Sequence, residues 1–134
     1  MKTNCSPKLR KKLENYMVKI DEEARKKGIS KKQIQFWPAA VVGCEKGRDK
    51  RIGESGKCSS SQYHSTLVSR LLQNGPIGVK VNGNYNGCCA EPHAANLILQ
   101  NQPFLSLTEL TFTHTIRPRT RKKLNPCPNC SSIF

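Results

Sequence analysis

Residues 87–99, GCCAEPHAANLIL, place two adjacent cysteines ahead of one acid and a run of small apolar residues, and residues 125–130, NPCPNC, carry a further cysteine pair. The first stretch reads as a helix over 89–101, with Ala90, Ala94, Leu97 and Ile98 on one face. Pro92 falls in its first turn, where proline forfeits no hydrogen bond and stiffens the chain. Cys127 and Cys130, three positions apart at a second helix start, are spaced to bite one metal ion. Cys89 from the first segment completes a Cys₃ set of the kind zinc takes. Both segments offer sulfur at a helix N-terminus, whose positive end favours thiolate. Three protein ligands leave a fourth position for water, which the metal acidifies. Glu91, two residues past Cys89, then reads as the proton shuttle for that water rather than as a ligand.

The rest of the chain supplies a frame for these segments. Residues 7–26 read as an amphipathic helix with Ser6 as its cap, Pro7 at its first position and Gly28 at its end. Leu9, Leu13, Tyr16, Met17, Ile20 and Ala24 recur at helical spacing, and the other face is rich in Lys and Arg. Ala39 to Cys44 and Arg51 to Ser55 read as the two arms of a hairpin. A helix follows from about Gln62 to Gln73, closed by Asn74-Gly75. Residues 76–87, PIGVKVNGNYNG, read as an irregular loop. Thr108 to Ile116 alternates as a strand, with Leu110, Phe112, His114 and Ile116 expected on one face. Residues 117–126 read as a basic loop, and the last residues as at most a short helix. The order β-β-α-α-β-α predicts an α/β domain with helices packed on a small mixed sheet. There are no internal repeats.

Lys and Arg number 23 against 9 Asp and Glu, a net charge of +14 in a chain of 134 residues. A field of that size repels itself, and a polyanion is the expected partner, nucleic acid or nucleotide phosphate first. No apolar stretch resembles a signal peptide or reaches membrane-spanning length, so no membrane insertion is expected. Seven cysteines are an odd count, which argues against a fully disulfide-stapled secreted domain and for thiols held reduced or metal-bound in a cytosol-like compartment. Cys5, Cys44, Cys58 and Cys88 are read as inert or buried thiols.

CAE (89–91) followed by PCPNC (126–130) resembles the [H/C]-x-E and P-C-x-x-C signature of zinc-dependent nucleobase deaminases. The wider pattern resembles the deaminase domains of bacterial polymorphic toxins, in particular the YwqJ-like group. In this likeness AAVVGCEKGRDKRIGESG (39–56) corresponds to the entry hairpin, CAEPHAANLIL (89–99) to the catalytic helix and NPCPNCSSIF (125–134) to the metal-binding turn. The resemblance implies a cytidine deaminase-like α/β/α three-layer sandwich, truncated at the C-terminus and preceded by an extra N-terminal helix. It divides the chain into a basic helical arm over 1–36 and a catalytic domain over 37–134. By position it implies Cys89, Cys127 and Cys130 as zinc ligands and Glu91 as general acid/base. The backbone N–H of Ala90 is then placed to fix the base's carbonyl, with Ser55 as a further substrate contact. The implied reaction is hydrolytic conversion of cytosine to uracil in single-stranded DNA or RNA. The toxin likeness implies delivery into a target cell's cytoplasm and an acidic immunity protein as partner.

Other readings of the same residues stay open at this point. Cys89 and His93 lie four apart, so a closed Cys₃His site with Cys127 and Cys130 would be structural and dry. Free nucleotide or adenine is an alternative substrate, and a zinc-stapled nucleic-acid-binding module is the non-enzymatic alternative. The basic run Arg117, Arg119, Arg121, Lys122 and Lys123 precedes the metal turn directly and is read as phosphate-contacting. His64 and His114 are read as structural. Trp37, Tyr63, Tyr85 and Phe104 are the aromatic residues available for stacking on a base.

Overall fold

Pro7–Lys26 forms the first helix, α1, and its start follows from the sequence: the Ser6 hydroxyl accepts the Leu9 N–H at 3.2 Å, and Pro7 opens the first turn. In the computed structural model, which describes residues 1–134, a five-stranded sheet follows. Strand β1 (Val41–Lys46) runs through its middle, with Val41 to Glu45 all buried. It pairs with β2 (Asp49–Glu54) on one side, and on the other with β5 (Thr111–Phe112) and β6 (Thr115–Arg117). β7 (Lys122–Leu124) lies outside β6. Between these strands come α2 (Ser65–Leu72), a two-rung hairpin β3 (Lys80–Val81) and β4 (Asn84–Tyr85), and α3 (Ala90–Asn101). Helix α4 (Pro128–Ser131) comes last.

The fold is α/β, as the sequence pattern predicts, but the sheet is not mixed. Every strand pair in it is antiparallel, because the chain returns by hairpins and long loops to the same edge. A single parallel bridge, Lys2 to Thr111, is its one exception. Helices cover both faces. Val41 packs with Leu13 and Met17 of α1, and Gly43 lies beneath Leu9 on that face. The alternate residues Val42 and Cys44 join Ala90, Ala94, Ala95 and Ile98 of α3 in the main core. Residues 1–36, expected as an appended arm, therefore include a helix whose apolar stripe (Leu9, Leu13, Met17, Ala24) is buried on the sheet.

Three further corrections concern local structure. Residues 80–85 are not irregular: Asn82 and Gly83, at φ of 51° and 82°, make the tight turn of a hairpin, which the Asn-Gly pair favours because both central residues need positive φ. The basic stretch is not a loop but the hairpin β6–β7. The strand expected over 108–116 is broken. Cys44 pairs with Phe112, yet Val41 pairs with Ile116, one residue out of step. A bulge at 113–114 absorbs the extra residue, and such an insertion exchanges the two faces of a strand. Thr115 is consequently buried against Glu91 and His114 is exposed, the reverse of the alternation in the sequence.

Gly53 sets how closely α3 approaches the sheet. A Cβ there would lie 2.4 Å from the Ala94 nitrogen and 2.6 Å from the Ala90 oxygen. The first turns of α3 therefore rest on the bare backbone of β2, which fixes where Cys89 and Glu91 emerge.

Candidate metal centre and its cavity

Cys89 and Cys127 are the N-cap residues of α3 and α4, and Cys130 lies within α4. Their sulfurs lie within 4.8 Å of one another. Cys127 Sγ is 3.2 Å from Cys89 Sγ and 3.4 Å from Cys130 Sγ. Hydrogen bonds with Cys130 and Cys89, joined by the Cys130 and Asn129 amides, push the Cys127 thiol down to about 3. Its hydrogen bond to Cys127 pushes Cys89 up to about 12, and the same partner raises Cys130. Cys127 thus sits between the other two sulfurs and is the one whose thiolate is most favoured. Tetrahedral zinc at about 2.3 Å from each sulfur spaces them about 3.8 Å apart, so the two contacts that Cys127 makes are each roughly half an ångström short of that spacing. The group of Cys89, Cys127 and Cys130 can hold a metal ion.

Asn129, between the two cysteines of the C-terminal pair, anchors this turn. Its buried amide donates to the Val81 carbonyl at 2.9 Å and accepts from the Asn82 side chain at 3.1 Å. The Asn74 amide bonds its carbonyl at 3.0 Å. The β3–β4 hairpin and the metal turn are therefore one unit, a role that the sequence reading missed because CPNC drew attention only to its sulfurs.

Glu91 is 2% exposed. One of its oxygens accepts a short hydrogen bond from the Thr115 hydroxyl, and the other lies 3.6 Å from Cys130 Sγ. No Lys, Arg or His forms an ion pair with it. Thr115 is the second residue that sequence missed, since only the bulge turns it inward. Glu91, Cys89 and Cys127 line a cavity of about 330 Å³ together with Ala90, Ser55 and Arg117. That volume lies at the lower end of the range of small-molecule sites.

Not every predicted contact is brought here. Ser55 lines the cavity, but its hydroxyl already accepts the Ala40 N–H at 3.0 Å. Arg119 lines a neighbouring cavity that shares Arg117, and its guanidinium reaches the Lys31 carbonyl. Arg121 turns away and pairs with Asp21 of α1 at 2.6 Å. Lys122 and Lys123 are exposed on β7 and do not line the cavity. His93 stands apart from the three sulfurs, with Nε2 3.4 Å from the Gly56 oxygen and its ring edge-on to Tyr63. The closed Cys₃His arrangement is not assembled.

The cysteines also carry one correction. Cys58 and Cys88, expected as free thiols, form a disulfide with Cα atoms 5.1 Å apart. The Gly56 N–H donates to the Cys88 carbonyl at 3.0 Å, which runs the two segments side by side and brings the pair into reach. Cys5 and Cys44 are buried and free. No helix is long and apolar enough to cross a membrane. No protein-family model matches the chain, and comparison with curated proteins and with solved structures returns no match.

Proposed function

We propose that the chain is a zinc-dependent hydrolytic deaminase of cytosine in single-stranded DNA or RNA, built on a cytidine deaminase-like fold. The observation that carries this reading is the buried, cation-free carboxylate of Glu91 at the wall of a cavity shared with two of three clustered sulfurs. A buried acid without a positive partner is costly to keep, and its position beside a metal-type donor set gives it work. Cys89, Cys127 and Cys130 hold the zinc. When bound, zinc supplies the Lewis acidity that makes water a nucleophile at neutral pH.

The chain's own groups carry the rest. Water adds at C4 of cytosine while Glu91 takes its proton and passes it to the ring nitrogen. Glu91 then takes the second proton from the new C4 hydroxyl and gives it to the departing amine; the C4–N bond breaks, ammonia leaves, and the C4 carbonyl of uracil remains. Thr115 holds the carboxylate towards the cavity, and the Ala90 amide, at the open start of α3, is positioned for the base's carbonyl oxygen. Arg117, on the same wall, faces the phosphate side. The charge of +14 supports a polymeric anion as the substrate. The same charge would suit an acidic immunity protein if the chain acts as a delivered toxin.

The test is sequencing of a mixed oligonucleotide pool after incubation with zinc-loaded protein. C-to-T changes are expected, and they should vanish in Glu91→Gln while its zinc content stays at one per chain. A-to-G changes would reassign the base to adenine. Ammonia released from free nucleotide alone would overturn the polymeric substrate. Tight nucleic-acid binding with no base change leaves the zinc-stapled binding module.

A further inference from the structure

Three cavities meet at Ala39, and their linings differ in kind. The first holds Glu91 with Cys89 and Cys127. The second, about 350 Å³, carries Arg117 and Arg119. The third, about 710 Å³, shares Ala39, Ser55, Tyr85 and Cys88 with the Glu91 cavity. Its walls are the Trp37 and Tyr85 rings, Pro38, the Cys58–Cys88 disulfide and glycine backbone, and Lys57 is its single charge. That surface suits a flat, neutral ring rather than a phosphate.

Tyr85 stands where the two shared walls join and is 60% exposed. Solvating so large a ring on a structural hairpin brings no packing gain. Asn129 nevertheless fixes that hairpin to the metal turn, which sets where the Tyr85 backbone stands relative to the sulfurs. Tyr63 and Trp37 are buried, and Phe104 lines neither cavity. Tyr85 is thus the aromatic residue placed to stack on a base beside the metal centre.

We infer that the third cavity binds the base next to the target cytosine, stacked on Tyr85, so that the substrate is a strand with two adjacent bases splayed apart. The inference rests on the deaminase reading and adds a second recognised base to its single-stranded substrate. Arg117 and Arg119, in the cavity on the other side of Ala39, then meet the strand's phosphates.

Trp37 is the chain's single tryptophan and lines this cavity, so its fluorescence reports occupancy without any turnover. The experiment titrates zinc-loaded Glu91→Gln protein with three probes: a short single-stranded oligonucleotide holding one cytosine, the same strand with an abasic site beside that cytosine on one side or the other, and deoxycytidine monophosphate. Removing the neighbouring base on one side should weaken binding about tenfold, the size of one base–aromatic stack, and removal on the other side should change little. Adding Tyr85→Ala should weaken the intact strand equally and leave the affinity for that abasic strand unchanged, because both changes delete one contact. Tyr85→Phe should restore the loss.

Equal affinity for intact and abasic strands overturns the inference, as do additive effects of Tyr85→Ala and the abasic site. Monophosphate binding as tightly as the intact strand overturns it too, since the cavity would then be serving a free nucleotide. The underlying reading fails separately. If wild-type protein deaminates oligonucleotides with no neighbour effect, only the two-base site is wrong. If the neighbour effect is present and no strand is deaminated, the two-base site stands and the catalysis does not.

Discussion

Two glutamates are buried in this fold, one on each face of the sheet, and their surroundings differ in a telling way. Glu45, on the α1 face, is 8% exposed and fully occupied. It accepts the Ser6 N–H and the Ser6 hydroxyl, each at 2.7 Å, and pairs with Lys50 at 3.5 Å. Glu91, on the α3 face, has one hydroxyl, one thiol and no cation. The first acid fastens a helix start to a strand. The second keeps acceptor capacity free beside a cavity. Burial alone does not separate a structural carboxylate from a chemical one; the identity of its partners does.

The sharpest way to break this contrast is Glu91→Gln. Loss of a general acid/base is expected to lower deamination by about 10²–10⁴-fold, with zinc content and Tm nearly unchanged. Full activity in that variant, measured as ammonia release, would remove Glu91 from the chemistry. Next in size is the disulfide that walls the cavity. Opening the loop between Cys58 and Cys88, a separation of 30 residues, by the double serine variant should cost about 3–4 kcal/mol in denaturant unfolding. Zinc should remain at one per chain, since neither sulfur belongs to the metal cluster. Zinc loss would mean that the two cysteine sets are not independent.

Glu45→Gln should do the reverse of Glu91→Gln, lowering stability by about 2 kcal/mol with turnover intact. Burial by itself would raise the Glu45 carboxyl, but Ser6 and Lys50 outweigh it and hold the group below the usual carboxylate range. Its contribution is therefore present above the unfolded-state value of about 4.3 and is lost as pH falls through the lower folded value. Acid titration of stability should accordingly be flatter in Glu45→Gln within that window, and an unchanged profile would contradict the account. The smallest effect is expected from Thr115→Val, which removes one hydrogen bond from Glu91. Stability should drop by roughly 1 kcal/mol, and kcat should fall more than KM changes, because the carboxylate is left without its guide.

Much of this site was legible in the residues. Ser6-Pro7 and the spacing of Leu9, Leu13 and Met17 define α1 because capping and periodicity agree. The cysteine spacing likewise leads to the three sulfurs that the fold brings together. What stayed hidden depends on events that leave little local trace. The bulge at 113–114 inserts one residue into a strand whose alternation looked intact, so Thr115 and His114 exchanged faces. Arg121 belongs to a basic run, yet its ion pair with Asp21 lies a hundred residues away in the chain. The Cys58–Cys88 bond likewise depends on a long-range approach of two loops. The Asn82-Gly83 turn did carry a signal, but strands of two residues each side are too short to show alternation.

Zinc K-edge absorption of the loaded protein tests the metal centre most directly. Three sulfur neighbours at about 2.3 Å and one oxygen at about 2.0 Å are the expected shell, with the oxygen replaced when a cytosine transition-state analogue is added. A four-sulfur shell, an imidazole in the fourth position, or protein that takes up no zinc would contradict it.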